Sequence, residues 1–267
     1  MTNSVTKMIY YCLLLNCLLL VGCDEPMEPE VGTYQTVVGE IPDMIWEQMD
    51  DATRAALAEG VKYVALTFDD GPRAETTGRL LDGLQERGVQ ATFFVIGTQI
   101  QCSGNEDLLH RMKAEGHQIG NHTFSHERLQ GAAESTVIEE IQKNEVILQT
   151  ILGEGEYWLR PPYGLIDSRR AKLVDVPMIY WTLDPEDWKL LDADKVADTV
   201  VQQVKAGDII LLHDFYPSSV EAALKIIDRL QPEGYVFVTV EELFQIYEVS
   251  AEKGVLYASP GLIRSLG

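Results

Sequence analysis

From residue 63 onward the sequence repeats one alternation: a short run rich in Val, Ile, Leu or Phe, then an amphipathic stretch, then a glycine. The apolar runs fall at 63–68, 91–96, 118–120, 157–159, 178–182, 208–212 and 235–240. Between them, apolar residues recur at helical spacing. Leu80, Leu81 and Leu84 precede Gly88; Leu108, Leu109 and Met112 precede Gly116; Val196, Val200 and Val204 precede Gly207. Val137, Ile141, Leu148 and Leu152 share one face of a helix from about residue 134, and Val220, Leu224 and Ile227 repeat the pattern later. A period of about 3.6 residues marks a helix face, and a glycine just past it supplies the left-handed residue that ends a helix. Strand, helix, strand in series implies a parallel sheet, because each crossover returns the chain to the same end. The seven runs therefore predict an α/β sheet, either barrel-like or open and doubly wound. In both, reactive side chains gather just past the C-terminal ends of the strands.

The 267 residues, 46% of them hydrophobic, suffice for one core of barrel size. The first residues have a separate logic. Lys7 precedes an apolar run from Met8 to Val21 broken only by Asn16. That run is shorter than the roughly 20 residues of a membrane span and suits the core of a signal peptide. Its end, Leu20-Val21-Gly22-Cys23, resembles the bacterial lipobox, in which the cysteine is lipidated and becomes the mature N-terminus. A plain signal peptide with a coincidental cysteine, or a short anchor, is the alternative. The expected division is a signal peptide over 1–22 and, over 23–60, lipidated Cys23, an acidic tether and a short helix at 45–57. A catalytic domain over 61–249 and a C-terminal tail over 250–267 complete it. Cys12 and Cys17 fall in the leader, so Cys102 is expected to stand alone in an exported domain without an internal disulfide. A net charge of −21 argues against nucleic acid as a partner, since phosphate binding needs cations. It equally disfavours a basic patch on anionic lipid, leaving a lipid anchor as the expected tie to an extracytoplasmic membrane face. A monomer is expected.

Five strand-end stretches carry chemistry. The first strand runs into Thr67-Phe68-Asp69-Asp70-Gly71-Pro72. Adjacent side chains on a strand point apart, so one carboxylate can hold a metal while its neighbour faces a water as general base; the same letters also form an ordinary acidic turn. The third strand leads into Gly120-Asn121-His122-Thr123-Phe124-Ser125-His126. Two histidines four residues apart reach one ion across a single turn, and an Asp completes the two-histidine, one-carboxylate set that leaves metal positions open. His110 and His117 read as structural or solvated. The fourth strand ends in Arg160-Pro161-Pro162-Tyr163-Gly164, where an Arg can hold a carboxylate and a rigid turn presents the Tyr163 amide to a developing oxyanion. The fifth ends in Trp181-Thr182-Leu183-Asp184-Pro185-Glu186-Asp187-Trp188 and the sixth in Leu211-Leu212-His213-Asp214. A histidine paired with a carboxylate such as Asp187 suits a general acid. Trp188 offers a flat wall to a sugar ring, or else is a core or rim aromatic like Trp181.

In this order the five stretches resemble the five motifs of the polysaccharide deacetylase family (carbohydrate esterase family 4), from about residue 62 to 243. The resemblance implies a distorted, incomplete (β/α) barrel and one divalent metal, zinc by default with cobalt, nickel or manganese as alternatives, held by Asp70, His122 and His126. It implies Asp69 as catalytic base, Arg160 as the group that positions it, and the Tyr163 amide as oxyanion donor. By the same resemblance His213 is the general acid tuned by Asp187, while Leu211 and Trp188 line the acetyl pocket and groove. No departure occurs at these positions. The implied reaction is hydrolysis of acetamide groups on an aminosugar polymer, such as peptidoglycan or chitin-like oligomers, with release of acetate. Two alternatives use the same framework: an O-acetyl esterase on xylan or another glycan, and a non-catalytic glycan-binding surface lipoprotein.

Overall fold

The computed structural model describes residues 60–266; the expected leader, Cys23, the tether and the helix at 45–57 lie outside them. In chain order the strands are β1 (Lys62–Asp69), β2 (Thr92–Val95), β3 (Gln118–Asn121), β4 (Met178–Ile179), β5 (Ile209–His213), β6 (Tyr235–Phe237), β7 (Leu256–Ser259) and β8 (Leu262–Ile263). The helices are α1 (Thr77–Glu86), α2 (Gly97–Ile100), α3 (Glu106–Ala114), α4 (Glu134–Leu152), α5 (Ser168–Ala171), α6 (Asp187–Leu190), α7 (Ala193–Gln203), α8 (Pro217–Leu230) and α9 (Val240–Ile246).

β1 is buried from Val64 through Asp69, as a strand covered on both faces must be. It pairs in parallel with β5, setting Asp69 opposite His213. Its other edge is shared: β6 takes 62–64 and β2 takes 67–69. β3 continues the sheet beyond β2. Single-residue bridges then carry it round, from Asn121 to Leu159, from Leu159 to Met178, and from Leu183 back to Ile210 of β5. The parallel sheet thus closes on itself as a distorted barrel, and α1, α7 and α8 bury Leu80, Leu84, Val196, Val200 and Ile227 against its outer face. No helix among the described residues is long and apolar enough to cross a membrane.

Five expectations need correction. The strand expected at 157–159 supplies only the Leu159 bridge. The strand expected at 178–182 stops at Ile179, because the buried Arg160 side chain occupies the carbonyls of Ile179 and Tyr180. The strand expected to reach 240 stops at Phe237, where Thr239 and Glu242 form a capping box that starts α9. Residues after 249 are no tail: β7 pairs in parallel with β4, and β8 returns antiparallel to β7. Cys102, expected to stand alone, is disulfide-bonded.

Candidate active site

β1 ends at Asp69, and Asp70 lies beyond it at φ 74, in the left-handed region that an L-residue adopts at a cost. Strand alternation therefore does not govern the two carboxylates, and they converge. Asp69 Oδ2 is 3.6 Å and Asp70 Oδ1 3.5 Å from the same atom, His122 Nε2. The turn is fixed from below, because a Cβ on Gly71 would lie 2.3 Å from both carboxylate oxygens of Asp214. Above it, Ile96 N–H donates to the Gly71 carbonyl at 2.9 Å and Asn105 Nδ2 to that of Pro72 at 2.9 Å.

His122 follows β3 directly, and its Nδ1 is 2.7 Å from the Arg160 carbonyl. A carbonyl only accepts, so Nδ1 carries the proton and the Nε2 lone pair faces Asp70. Thr123 and His126 both have positive φ, 66 and 63. That is costly for a β-branched residue, and the bonds from Thr123 N–H and Asn144 Nδ2 to Asn121 Oδ1, 2.8 and 2.9 Å, hold it. The turn brings His126 Nε2 to 3.4 Å from Asp70 Oδ1.

Asp70, His122 and His126 place one ligand atom each within 4.8 Å of the others. Two ligands on a tetrahedral ion with bonds of about 2.0–2.1 Å stand about 3.3–3.5 Å apart, which matches the separations from Asp70 Oδ1. That oxygen is buried and has no hydrogen-bond partner among the described residues. Buried carboxylate oxygens are otherwise satisfied, so the donor set fits a divalent cation.

Arg160, fully buried, directs Nη1 to Asp69 Oδ1 and to Thr67 Oγ1, both at 2.7 Å. Its other nitrogens reach the carbonyls of Ile179 and Tyr180, and its guanidinium lies 4.1 Å from the Phe94 ring centre. Tyr163 sits in a turn at φ 59, and its amide N–H finds no acceptor among the described residues. The Tyr163 ring meets that of His126 edge-on at 4.6 Å. On the far side, Asp187 heads α6 with no solvent exposure and grips His213 twice, at Nδ1 and at the backbone N–H, each 2.8 Å. The free edge of that ring, Nε2, is 4.0 Å from Asp70 Oδ2. Leu211, buried two residues before His213, shares its face of β5, and Trp188, half-buried, lies one residue past Asp187.

The charges follow from this packing. Burial opposes ionisation of Asp70, yet His126, His122 and His213 together hold its carboxyl well below the usual range. Burial pushes His126 down to about 4 against the pull of Asp70. Burial also disfavours the His213 cation, but Asp187 overrides it and raises that imidazole to about 10. The His213 imidazole therefore carries its second proton at neutral pH. Asp214 is pushed up to about 7 by burial, and Thr77 donates to it.

Of the site residues named from sequence, Asp69, Asp70, His122, His126, Arg160, Asp187 and His213 meet in one cluster, Leu211 lies within β5, and Cys23 lies outside the described residues. Several supporting residues were not among them. Thr67 holds Arg160, Asn144 holds the His122 turn from α4, and Thr77 holds Asp214. The stacked Tyr180 and Trp181, 3.8 Å apart and capped by Arg264, leave no room for a side chain at Gly164. Thr67 and Trp181 lie inside stretches already singled out; Thr77, Asn144, Tyr180 and Arg264 had no sequence signal, because they act through packing.

A buried carboxylate pair, a candidate cation site and a carboxylate-gripped imidazole thus meet in one cluster at the strand ends of a parallel sheet. Comparison with known proteins supplies the class. A family model described as polysaccharide deacetylase matches residues 57–176. The peptidoglycan-N-acetylmuramic acid deacetylase of Bacillus subtilis is 38% identical over 185 residues, 69% of this chain and 39% of its own length. A peptidoglycan-N-acetylglucosamine deacetylase of Bacillus cereus is 38% identical over 189 residues, 68% of each chain. Among solved structures, a family 4 acetyl xylan esterase from Clostridium thermocellum in complex with a cobalt ion superimposes with a TM-score of 0.70. It is 34% identical, over 74% of this chain and 98% of that one. The chain belongs to the polysaccharide deacetylase family. It spans about two fifths of the length of the first curated relatives it matches, those of Bacillus subtilis and Listeria monocytogenes.

Proposed function

We propose that this protein hydrolyses acetamide groups on an aminosugar polymer, peptidoglycan foremost, releasing acetate. The observation that carries the reading is the convergence of Asp69 and Asp70 on His122, with the Asp187-held His213 facing them from β5. The peptidoglycan deacetylases among the relatives support the substrate class.

Asp70, His122 and His126 would hold the divalent cation, and the acetyl xylan esterase with cobalt supports a metal in this family. Zinc is the expected occupant, with cobalt, nickel or manganese as alternatives. When bound, such an ion polarises the acyl carbonyl and makes water more acidic. The chain's own groups do the rest. Asp69, oriented by Arg160, removes a proton from the attacking water. The unpaired Tyr163 amide donates to the oxyanion that develops on the acyl oxygen. His213, protonated against Asp187, gives its Nε2 proton to the departing sugar nitrogen, and acetate leaves. Leu211 and Trp188 bound the space for the acetyl group and the ring that bears it.

The test is acetate release by purified protein, loaded with defined metal, from N-acetylated chito-oligomers, peptidoglycan fragments and acetylated xylan. Release from the first two fits the proposal. Release from xylan alone would make the protein an O-acetyl esterase, and no release from any would favour a glycan-binding role. We place the protein outside the cytoplasm with Cys23 as the lipidated residue, which mass spectrometry of the mature N-terminus would test. We expect it to act as a monomer, which light scattering would read.

A further inference from the structure

Arg73 stands one residue past the Gly71-Pro72 pair that fixes the Asp69–Asp70 turn. Its backbone is pinned: the N–H donates to Thr77 Oγ1 at 2.8 Å, and the carbonyl accepts from the Thr76 and Thr77 amides. Its guanidinium carbon lies 4.1 Å from the ring centre of Phe215, itself 4% exposed and two residues past His213. The side chain thus bridges the two loops that carry the candidate base and the candidate acid. Arg87, Arg111, Arg160, Arg169, Arg170 and Arg229 each pair with a carboxylate. Arg73, Arg79, Arg128 and Arg264 meet no carboxylate among the described residues, although acids outnumber bases 42 to 21 in the chain, and of these four Arg73 alone lies in the loop after β1 against Phe215 of the loop after β5. A guanidinium resting on an aromatic face keeps its in-plane N–H groups for a planar anion, and the pinned backbone reduces what is lost on binding.

We propose that Arg73 binds a carboxylate of the substrate, so that the preferred glycan carries a free carboxylate beside the acetamido group, as a muramic-acid residue without its peptide does. This rests on the deacetylase reading and adds the charge of the substrate to it. A net charge of −21 repels an anionic polymer overall, so recognition of one needs a local cation at the site's edge.

The test compares kcat/KM for acetate release from a peptide-free, muramic-acid-containing glycan fragment with that from a neutral chito-oligomer of equal length. The wild type should prefer the acidic fragment. Arg73→Gln should lower that preference about tenfold, and Arg73→Lys should restore part of it. Arg79→Gln removes the same charge from an exposed position on α1 and should leave the preference within about twofold. Equal losses on both substrates in Arg73→Gln, or the same loss of preference in Arg79→Gln, would overturn the proposal while acetate release still upheld the deacetylase reading. No acetate from either substrate by the wild type would remove both.

Discussion

Arg160→Leu removes a guanidinium that makes four hydrogen bonds with no exposure to solvent. The loss divides into parts. Asp69, 3% exposed, becomes a buried charge without its partner, and breaking a buried pair costs about 3–5 kcal/mol. The carbonyls of Ile179 and Tyr180 lose their side-chain donors, adding about 1–3 kcal/mol. We expect about 5 kcal/mol in all. At about 2–4 °C per kcal/mol for a domain of this size, the melting temperature should fall by about 10–20 °C. Asp69→Asn alone keeps an acceptor and should cost about 1–2 kcal/mol. The double variant has no buried charge on either side, so it should be at least about 2 kcal/mol more stable than the sum of the single losses. Urea melts followed by tryptophan fluorescence, with all four proteins at one metal load, measure the cycle. Additivity within about 0.5 kcal/mol would show that the Asp69 charge does not depend on Arg160, and the positioning argument would fall.

Asp69→Asn should abolish acetate release while metal content stays at the wild-type level; undiminished turnover would remove Asp69 as the base. His213→Ala should slow release by about 10²–10⁴-fold with metal retained, and loss of metal by elemental analysis would make His213 a ligand instead. A chelator should end acetate release and lower the melting temperature, both reversed on adding zinc. Asp214, raised by burial to about 7 from 3.8, keeps a proton in the folded state that the unfolded chain releases between about pH 4 and 7. Stability should therefore fall as pH rises through that window, and Asp214→Asn should flatten this part of the profile in thermal melts.

What the sequence offered for the candidate site was a set of short words at strand ends, each also readable as an ordinary turn; only their order, resembling the family's motifs, singled out Asp69, Asp70, His122, His126 and His213. Strand lengths were less legible. Periodicity reports burial, not ladder pairing, so the apolar run at 157–159 looked like a strand although only Leu159 bridges its neighbours. β7 and β8 escaped notice because two short strands around Ser259-Pro260-Gly261 carry too little pattern to register. Arg264, which they bring over Tyr180, was invisible for the same reason. Nor did strand alternation foresee the convergence of the two carboxylates, since the left-handed turn at Asp70 overrides it.

The Asp70 carboxylate comes from the end of β1, and both histidines come from the loop after β3, two strands away. A half-assembled chain offers an ion the histidine pair alone, so a cation that needs all three donors discriminates between finished and unfinished protein. Bound there, it would act as a clasp across the sheet as well as a reagent. Scarcity of the metal would then shorten the protein's lifetime along with silencing it.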